Sequence, residues 1–249
     1  MNKRHSTILS IISDGHQATV NELSEKLSVS PATVRQDLSS LEKQGFLRRV
    51  HGGAKIDETD DISHRMAVNY DRKVSIAKAA VQYVNEGETI FIESGSINAL
   101  FAREVSSVNN VTIITSNAFI ARHIDRELSG NVILIGGIFQ KESECVVGNL
   151  AKECIANLNF GKAFIGIDGF TIDTGFTGRD MMRAELNAEI IRSSKQVFIL
   201  SDSSKFGRIA LSKYCDAADV TYLITDSDLG EEYTRYFEAS PVNLILADT

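Results

Sequence analysis

Seven short apolar runs recur between residues 88 and 246: ETIFIE (88–93), VTIIT (111–115), VILI (132–135), KAFIGI (162–167), QVFIL (196–200), VTYLIT (220–225) and VNLIL (242–246). They are apolar at successive rather than alternate positions, the pattern of strands buried on both faces. Helical stretches lie between them: IAKAAVQYV, Ala99 to Val105, AFIARHIDREL, and a segment near 181–194. Strands alternating with helices predict an α/β domain with a largely parallel sheet. In open sheets of that kind, ligands bind beyond the carboxyl ends of the strands.

Five of those ends carry small or polar residues. Glu93 precedes Ser94-Gly95-Ser96, and the others are Ser116-Asn117, Gly136-Gly137, Asp168-Gly169 and Asp202-Ser203-Ser204-Lys205. Ser-Gly-Ser opening a helix presents backbone N–H groups and hydroxyls to an anion. Asp168 suits sugar hydroxyls, and Lys205 is a point charge for phosphate or carboxylate. Arg179 and Arg183 are further anion candidates. Any one such loop is as well explained by turn chemistry; five in one sheet favour a polar binding crevice.

The first segment differs. Ile8, Leu9, Ile11 and Ile12 recur at helical spacing, and Gly15 stops that helix. Thr19-Val20-Asn21-Glu22 has capping-box spacing and opens a second helix with Val20, Leu23 and Leu27 on its apolar stripe. Ser30-Pro31 is an N-cap followed by proline at the first helical position. The third helix buries Val34, Leu38 and Leu41 and stops at Gly45, and Gly52-Gly53 between strand-like residues predicts a hairpin.

This order is that of a winged helix-turn-helix. With its apolar stripe inward, the third helix leaves Ser30, Thr33, Arg35, Gln36 and Ser39 for DNA. Arginine suits guanine, glutamine suits adenine, and hydroxyls suit phosphates or bases. Arg48, Arg49, His51 and Lys55 make a basic wing for the backbone or minor groove.

Charge divides the same way. The net charge is −7, yet residues 1–56 hold 8 Lys/Arg against 5 Asp/Glu, or +3, and the remainder holds 18 against 28, or −10. A basic module joined to an acidic body is expected: residues 1–57 as the DNA-binding domain, 58–72 as a linker, and 73–249 as the α/β domain. With 43% hydrophobic and 24% charged residues, a disordered or fibrous chain is excluded.

No apolar run reaches the ~18 residues of a membrane span, and MNKRHSTILSIISDG lacks the long apolar core of a signal peptide. Cys145, Cys154 and Cys215 are odd in number and have no CxxC spacing, which fits a reducing cytoplasm. His5, His16, His51, His64 and His123 form no ligand pairs, and neither GxGxxG nor GxxxxGK[ST] occurs. No metal, cofactor or catalytic residue is therefore assigned.

The stretch Val29-Ser30-Pro31-Ala32-Thr33-Val34-Arg35-Gln36-Asp37-Leu38, with Leu41-Glu42, Gly45, Leu47, Arg49 and His51-Gly52-Gly53-Ala54, resembles the DNA-binding signature of DeoR-family bacterial transcriptional regulators. The resemblance runs through Glu93-Ser94-Gly95-Ser96, Ser116-Asn117, Gly136-Gly137, Gly148, Asp168 and Asp202-Ser203-Ser204-Lys205-Phe206-Gly207 and covers nearly the whole chain. Its Gly-Ile-Asp-Gly and Thr-Gly-Phe-Thr-Gly-Arg-Asp-Met-Met-Arg segments are closest to an enterobacterial branch. The resemblance implies a sensor domain similar to ribose-5-phosphate isomerase and glucosamine-6-phosphate deaminase folds, responsive to phosphorylated sugars or related metabolites.

Four positions depart from the family pattern. Gln36 stands where a second arginine is common, Ile97 and Asn98 where threonines are usual, and Asn187 where many members have lysine.

The sequence thus predicts a cytoplasmic regulator, by family resemblance a repressor of a carbohydrate operon. Its partners are operator DNA, a small phosphorylated effector and further copies of itself, as dimer or tetramer. Two other readings stay open: a sugar-phosphate isomerase or deaminase with a vestigial N-terminal module, and a constitutive DNA-binding protein with a silent sensor.

Overall fold

The computed structural model describes residues 3–15, 17–55, 62–124 and 129–248. The chain divides into two compact units, Met1–Asp71 and Arg72–Thr249.

The first unit runs α1 (Lys3–Gly15), β1 (Gln17–Thr19), α2 (Val20–Leu27), α3 (Pro31–Lys43), β2 (Arg48–Val50), β3 (Gly53–Lys55) and α4 (Ile62–Ala67). Its helix ends follow from local chemistry. Thr19 caps α2: its hydroxyl accepts from Glu22 N at 3.2 Å while the Glu22 carboxylate accepts from Thr19 N at 2.7 Å. Ser28, left-handed at φ 52°, ends α2. Two residues later the Ser30 hydroxyl accepts from Thr33 N at 3.2 Å and Pro31 begins α3. Val34, Leu38 and Leu41 are buried, as are Ile8, Leu9 and Ile12 of α1 and Val20 and Leu23 of α2; Leu27 and Ile11 are half-buried.

The wing is a three-stranded antiparallel sheet, order β1-β3-β2, rather than a hairpin alone. Its two glycines have separate reasons. Gly52 turns the hairpin at φ +79°. At Gly53 a Cβ would lie 2.3 Å from the Ala18 carbonyl oxygen, so only glycine lets β3 pair with β1 there. The Arg49 N–H donates to the Glu42 carboxylate at 2.8 Å, fixing the wing to α3.

One buried polar residue joins α1 to α3. Asp37 is 5% exposed. Its carboxylate accepts from Arg4 Nε at 2.6 Å and Nη2 at 2.9 Å, and lies 3.1 Å from His5 Nε2.

The expected linker is not extended chain. Residues 58–61 lie outside the described residues, Ile62–Ala67 is α4, and α5 (Tyr70–Val81) starts inside the expected span. Ile62 and Met66, four apart, are buried. Tyr70 meets Phe46 edge-on at 5.3 Å, and the Ser6 hydroxyl donates to Asp71 at 2.8 Å. The acidic residues before Ile62 mask this i, i+4 pair in the sequence.

The second unit is built on a seven-stranded sheet. Its strands are β4 (Thr89–Ile92), β5 (Thr112–Thr115), β6 (Val132–Leu134), β9 (Lys162–Ile165), β12 (Gln196–Leu200), β14 (Tyr222–Asp226) and β15 (Asn243–Ala247), one for each apolar run. The order is β15-β14-β12-β9-β4-β5-β6 and every pairing is parallel. Helices α6 (Ser96–Val105), α7 (Ala118–His123), α8 (Asn149–Ala156), α9 (Met181–Ser193) and α10 (Glu231–Glu238) lie along the chain between the strands. The helix expected over AFIARHIDREL is described only as α7, because residues 125–128 lie outside the described residues.

Two small sheets were not anticipated. A hairpin of β7 (Ile138–Gln140) and β8 (Cys145–Val147) follows β6, while β10 (Gly169–Thr171), β11 (Gly175–Gly178) and β13 (Ser212–Cys215) form an antiparallel sheet. The latter is anchored by buried Phe170 and Phe176, with ring centroids 4.5 Å apart and Phe237 of α10 5.0 Å from Phe170.

Asp37→Asn removes the charge facing Arg4 and His5. Denaturation at pH 7 is expected to show the first unit weakened by about 1–3 kcal/mol. The Arg4 hydrogen bond is the main cause that holds the Asp37 carboxyl below its ordinary range. Its contribution is therefore complete above the unfolded-state value near pH 4 and is lost as pH falls through the lower folded value. The difference between parent and variant should shrink from roughly pH 5 to pH 2; an equal difference at both ends would assign the effect to packing instead of charge.

Candidate functional site

Both candidate surfaces follow from which faces the packing leaves open. On α3, turning Val34, Asp37, Leu38 and Leu41 inward leaves Arg35 and Gln36 exposed and Ser39 half-buried. Ser30 is exposed; besides capping the helix its hydroxyl lies 2.8 Å from that of half-buried Thr33. These five residues occupy the N-terminal two-thirds of the helix, the part that a recognition helix inserts in the major groove.

On the wing, Arg48, Arg49 and His51 are exposed and Lys55 is half-buried. Arg48 stands opposite Lys55 in the β2–β3 register.

In the second unit the strand order fixes the site. From β4 the chain steps outward through β5 to β6, then returns to the other side of β4 as β9 and steps outward through β12, β14 and β15. The order reverses between β4 and β9, and beyond the carboxyl ends of such a pair a crevice opens. Because the sheet is wholly parallel, all five predicted loops lie at one edge. Those of β5, β4, β9 and β12 are consecutive neighbours; Gly136-Gly137 lies farther out, after the edge strand β6.

At the reversal, buried Glu93 accepts from Gly166 N at 3.1 Å. Asn98, fully buried, donates through Nδ2 to the carbonyls of Glu93 at 2.9 Å and Phe164 at 3.2 Å, bridging the ends of β4 and β9. With Nδ2 so fixed, Asn98 Oδ1 is left buried without a hydrogen-bond partner among the described residues. Gly95, at φ +152°, opens α6 with no side-chain cap, and half-buried Ser96 is the first helical residue.

Several predicted residues are already occupied by structural bonds. Asn117 is fully buried: its Oδ1 caps α7 by accepting from Ile120 N at 2.9 Å, and its Nδ2 donates to Ser94 Oγ at 3.2 Å and Ser143 O at 2.9 Å. Ser94 and Ser116 are buried with it. Gly137 packs against β8, where a Cβ would meet the Val147 carbonyl at 2.6 Å, while Gly136 is open. Asp168 accepts from Arg179 N at 2.9 Å and Nε at 3.1 Å. Asp180 caps α9 through Arg183 N at 2.8 Å, which leaves the Arg183 guanidinium 3.9 Å from the same carboxylate. Asp202 is buried and caps a single turn, Ser203–Lys205, through Ser204 N at 3.1 Å.

Lys205 differs from these. It is half-buried, and its ammonium has no ion-pair or hydrogen-bond partner among the described residues.

Sequence reasoning missed three contributors. Tyr214 of β13 donates to Gly166 O at 2.7 Å; burial, foremost, raises its phenol well above the ordinary range, so it stays a neutral donor. Gln140 links the β7–β8 hairpin to α9 by donating to Asp180 at 3.0 Å and accepting from Ser143 Oγ at 3.2 Å. Arg72 donates to Ser203 Oγ at 3.2 Å and pairs with Asp228 and with fully buried Asp226. Arg72 fell in the expected linker, and Tyr214 and Gln140 come from sheets with no clear sequence period.

Among the described residues, no group of three or more His, Cys, Asp and Glu is placed to hold a metal ion, and no helix is long and apolar enough to cross a membrane.

Residues 4–60 match the DeoR-like helix-turn-helix domain, and residues 68–227 match the DeoR C-terminal sensor domain. The chain is 29% identical to the HTH-type transcriptional regulator GolR of Listeria innocua over 99% of this chain and 98% of that one. It is 28% identical to a putative aga operon transcriptional repressor of Escherichia coli O157:H7, over 98% and 93%. It is 29% identical to the HTH-type transcriptional regulator UlaR of Shigella sonnei, over 98% of each. Among solved structures, ribose 5-phosphate isomerase A of Methanocaldococcus jannaschii aligns over 55% of each chain at 19% identity, with a TM-score of 0.41. The two domain matches and the full-length relatives place the chain in the DeoR family: it is a DNA-binding transcriptional regulator and not an enzyme.

Proposed function

We propose that this regulator represses a carbohydrate-metabolism operon and that a phosphorylated sugar or a related anionic metabolite modulates its grip on the operator. Residues 1–57 read DNA and residues 73–249 bind the effector, in the cytoplasm, in an assembly of at least two copies. The observation that carries the reading is α3, whose buried stripe turns Arg35 and Gln36 to solvent beside the basic wing.

Arg35 pairs with a guanine edge and Gln36 with an adenine edge, while Ser30, Thr33 and Ser39 hold phosphates or bases. Arg48, Arg49, His51 and Lys55 neutralise the backbone beside the groove.

At the strand ends, two unmet demands point to one ligand chemistry. Among the described residues, Lys205 is a cation without a protein partner and Asn98 Oδ1 is a buried acceptor without a donor. An orphaned buried acceptor costs about 1–3 kcal/mol. A ligand carrying both a phosphate and hydroxyls meets both demands, with Gly95 and Ser96 supplying N–H groups at the start of α6. Arg179 and Arg183 stand by as exchangeable cations on Asp168 and Asp180. The effector acts by binding one arrangement of the regulator better than another, and the shift in operator affinity is bounded by that difference.

Arg35→Ala is expected to weaken specific binding, measured on fragments selected from the source genome, by roughly 1–3 kcal/mol with relaxed specificity at one base pair. Undiminished affinity would remove Arg35 from base readout.

For the effector, melting temperature is followed against a panel of sugar phosphates and polyol phosphates. A ligand at ~100 times its Kd adds about 2.7 kcal/mol, a rise easily read. Lys205→Ala should abolish that rise and leave DNA binding intact. A normal rise in the variant would reassign the anion site, and no rise in the parent across the panel would leave a silent sensor.

A further inference from the structure

The division between the two units falls inside a helix. Asp71 closes the first unit and Arg72 opens the second, while α5 runs unbroken from Tyr70 to Val81. Residues 70 and 71 are tied within the first unit. Tyr70 packs edge-on against Phe46 at 5.3 Å, and Asp71 accepts from the Ser6 hydroxyl at 2.8 Å. Phe46 is fully buried and lies in the chain between α3 and the wing strand β2; its N–H donates to Leu41 O at 3.0 Å.

Arg72, the next residue, is tied to the strand ends of the large sheet. Its Nη1 donates to Ser203 Oγ at 3.2 Å and lies 3.6 Å from Asp226 Oδ1, and its Nη2 pairs with Asp228. Ser203 begins the single turn that carries Lys205. Asp226 fastens the same turn: fully buried, it accepts from Ser203 N at 2.7 Å through Oδ2. A buried carboxylate needs a counter-charge, and Arg72 supplies one while it holds Ser203. The Asp228 side chain is 64% exposed, so it keeps its grip on a guanidinium that leaves Ser203. Arg72 therefore has two sets of acceptors, one fixed at the end of β14 and one that can move with it.

We propose that Arg72 is a positioning residue that couples the turn carrying Lys205 to Phe46 and Ser6 of the DNA-binding unit. An anion that draws Lys205 moves the turn, and the bridge from Arg72 to Ser203 and Asp226 is loosened. Residues 70 and 72 are about 3 Å apart along the helix axis, so a shift at Arg72 reaches Tyr70 within one turn of α5. Tyr70 bears on Phe46, at the exit of α3. The path is contiguous, and its Arg72 contact has two arrangements, as energetic coupling requires. The inference rests on the reading of Lys205 as an effector contact, and it names how that contact is felt at α3.

Hydrogen–deuterium exchange of the full chain, without ligand or DNA, tests the coupling. Arg72→Gln is expected to speed exchange in peptides covering residues 200–206 and 42–50. Because Arg72 adjoins Tyr70 in the chain, the deciding variant alters only the far side: Ser203→Ala with Asp228→Ala. With far-UV circular dichroism unchanged, it is expected to speed exchange in peptides covering 42–50 by about threefold or more. Acceleration confined to residues 200–230 overturns the proposal. Should the double variant lose its fold, Ser203→Ala alone decides by the same comparison. Melting temperature against the sugar phosphates and polyol phosphates is read separately: a coupled chain that answers to none of them overturns the effector reading and leaves the coupling standing.

Discussion

The second unit depends on a junction its own topology makes difficult. Where strand order reverses, the connections leaving β4 and β9 run away from each other, and the ladder between them ends with the Glu93 N–H donating to the Phe164 carbonyl at 2.9 Å. Asn98 and Glu93 extend that hold beyond the ladder, one amide reaching two carbonyls and one carboxylate reaching the Gly166 N–H. Tyr214 adds a third tie to Gly166 from the antiparallel sheet. Because Nδ2 is committed to the two strands, the Asn98 carbonyl oxygen is left buried without a hydrogen-bond partner among the described residues. One side chain thus ties the two strand ends and leaves the acceptor that the proposed effector would satisfy.

From that junction a chain of polar contacts runs outward. Ser94 meets Asn117, Asn117 holds the start of α7 and the Ser143 carbonyl, and Ser143 and Gln140 carry the line to Asp180 at the start of α9. Buried networks of this kind are stable only when every member is satisfied, and then they rigidify what they join. Ser94 and Asn117 therefore serve the crevice as scaffold. On the proposed reading, the groups left to touch a ligand are Gly95 and Ser96 at the helix start, Lys205, and the arginines held by Asp168 and Asp180.

How much of this was legible in the sequence follows from the range of each interaction. All seven strands of the main sheet were readable, because double-sided burial leaves a mark within five or six consecutive residues. The capping box at Thr19 and the cap at Ser30 were readable for the same reason: donor and acceptor lie within three residues. The three-residue strands β7, β8 and β10 were not, since so short a strand has no period, and β1 became a strand only because Gly53 lets a distant segment approach. Asp37 sits on a helix as one polar residue among several; its burial depends on Arg4, 33 residues away. Ser116 and Asn117 were found for their small polar character, which sequence alone reads equally as ligand contact or as cap.

The charge distribution raises a last physical question: how a chain of net charge −7 binds DNA and would hold the anionic effector proposed for it. At physiological salt the screening length is about 8 Å, so the acidic body is largely invisible to a phosphate lying against α3 or the wing. What that phosphate meets is Arg35, Arg48, Arg49 and Lys55 within the +3 of residues 1–56. The same would hold for the proposed effector at the strand ends, where Lys205 and the N–H groups of a helix start accompany aspartates that are already paired or used as caps. Asp168 is occupied by Arg179, Asp180 by Arg183 N, and Asp202 by Ser204 N. On the proposed reading, the local bonds that consume those carboxylates are what let an acidic domain present a site for an anion.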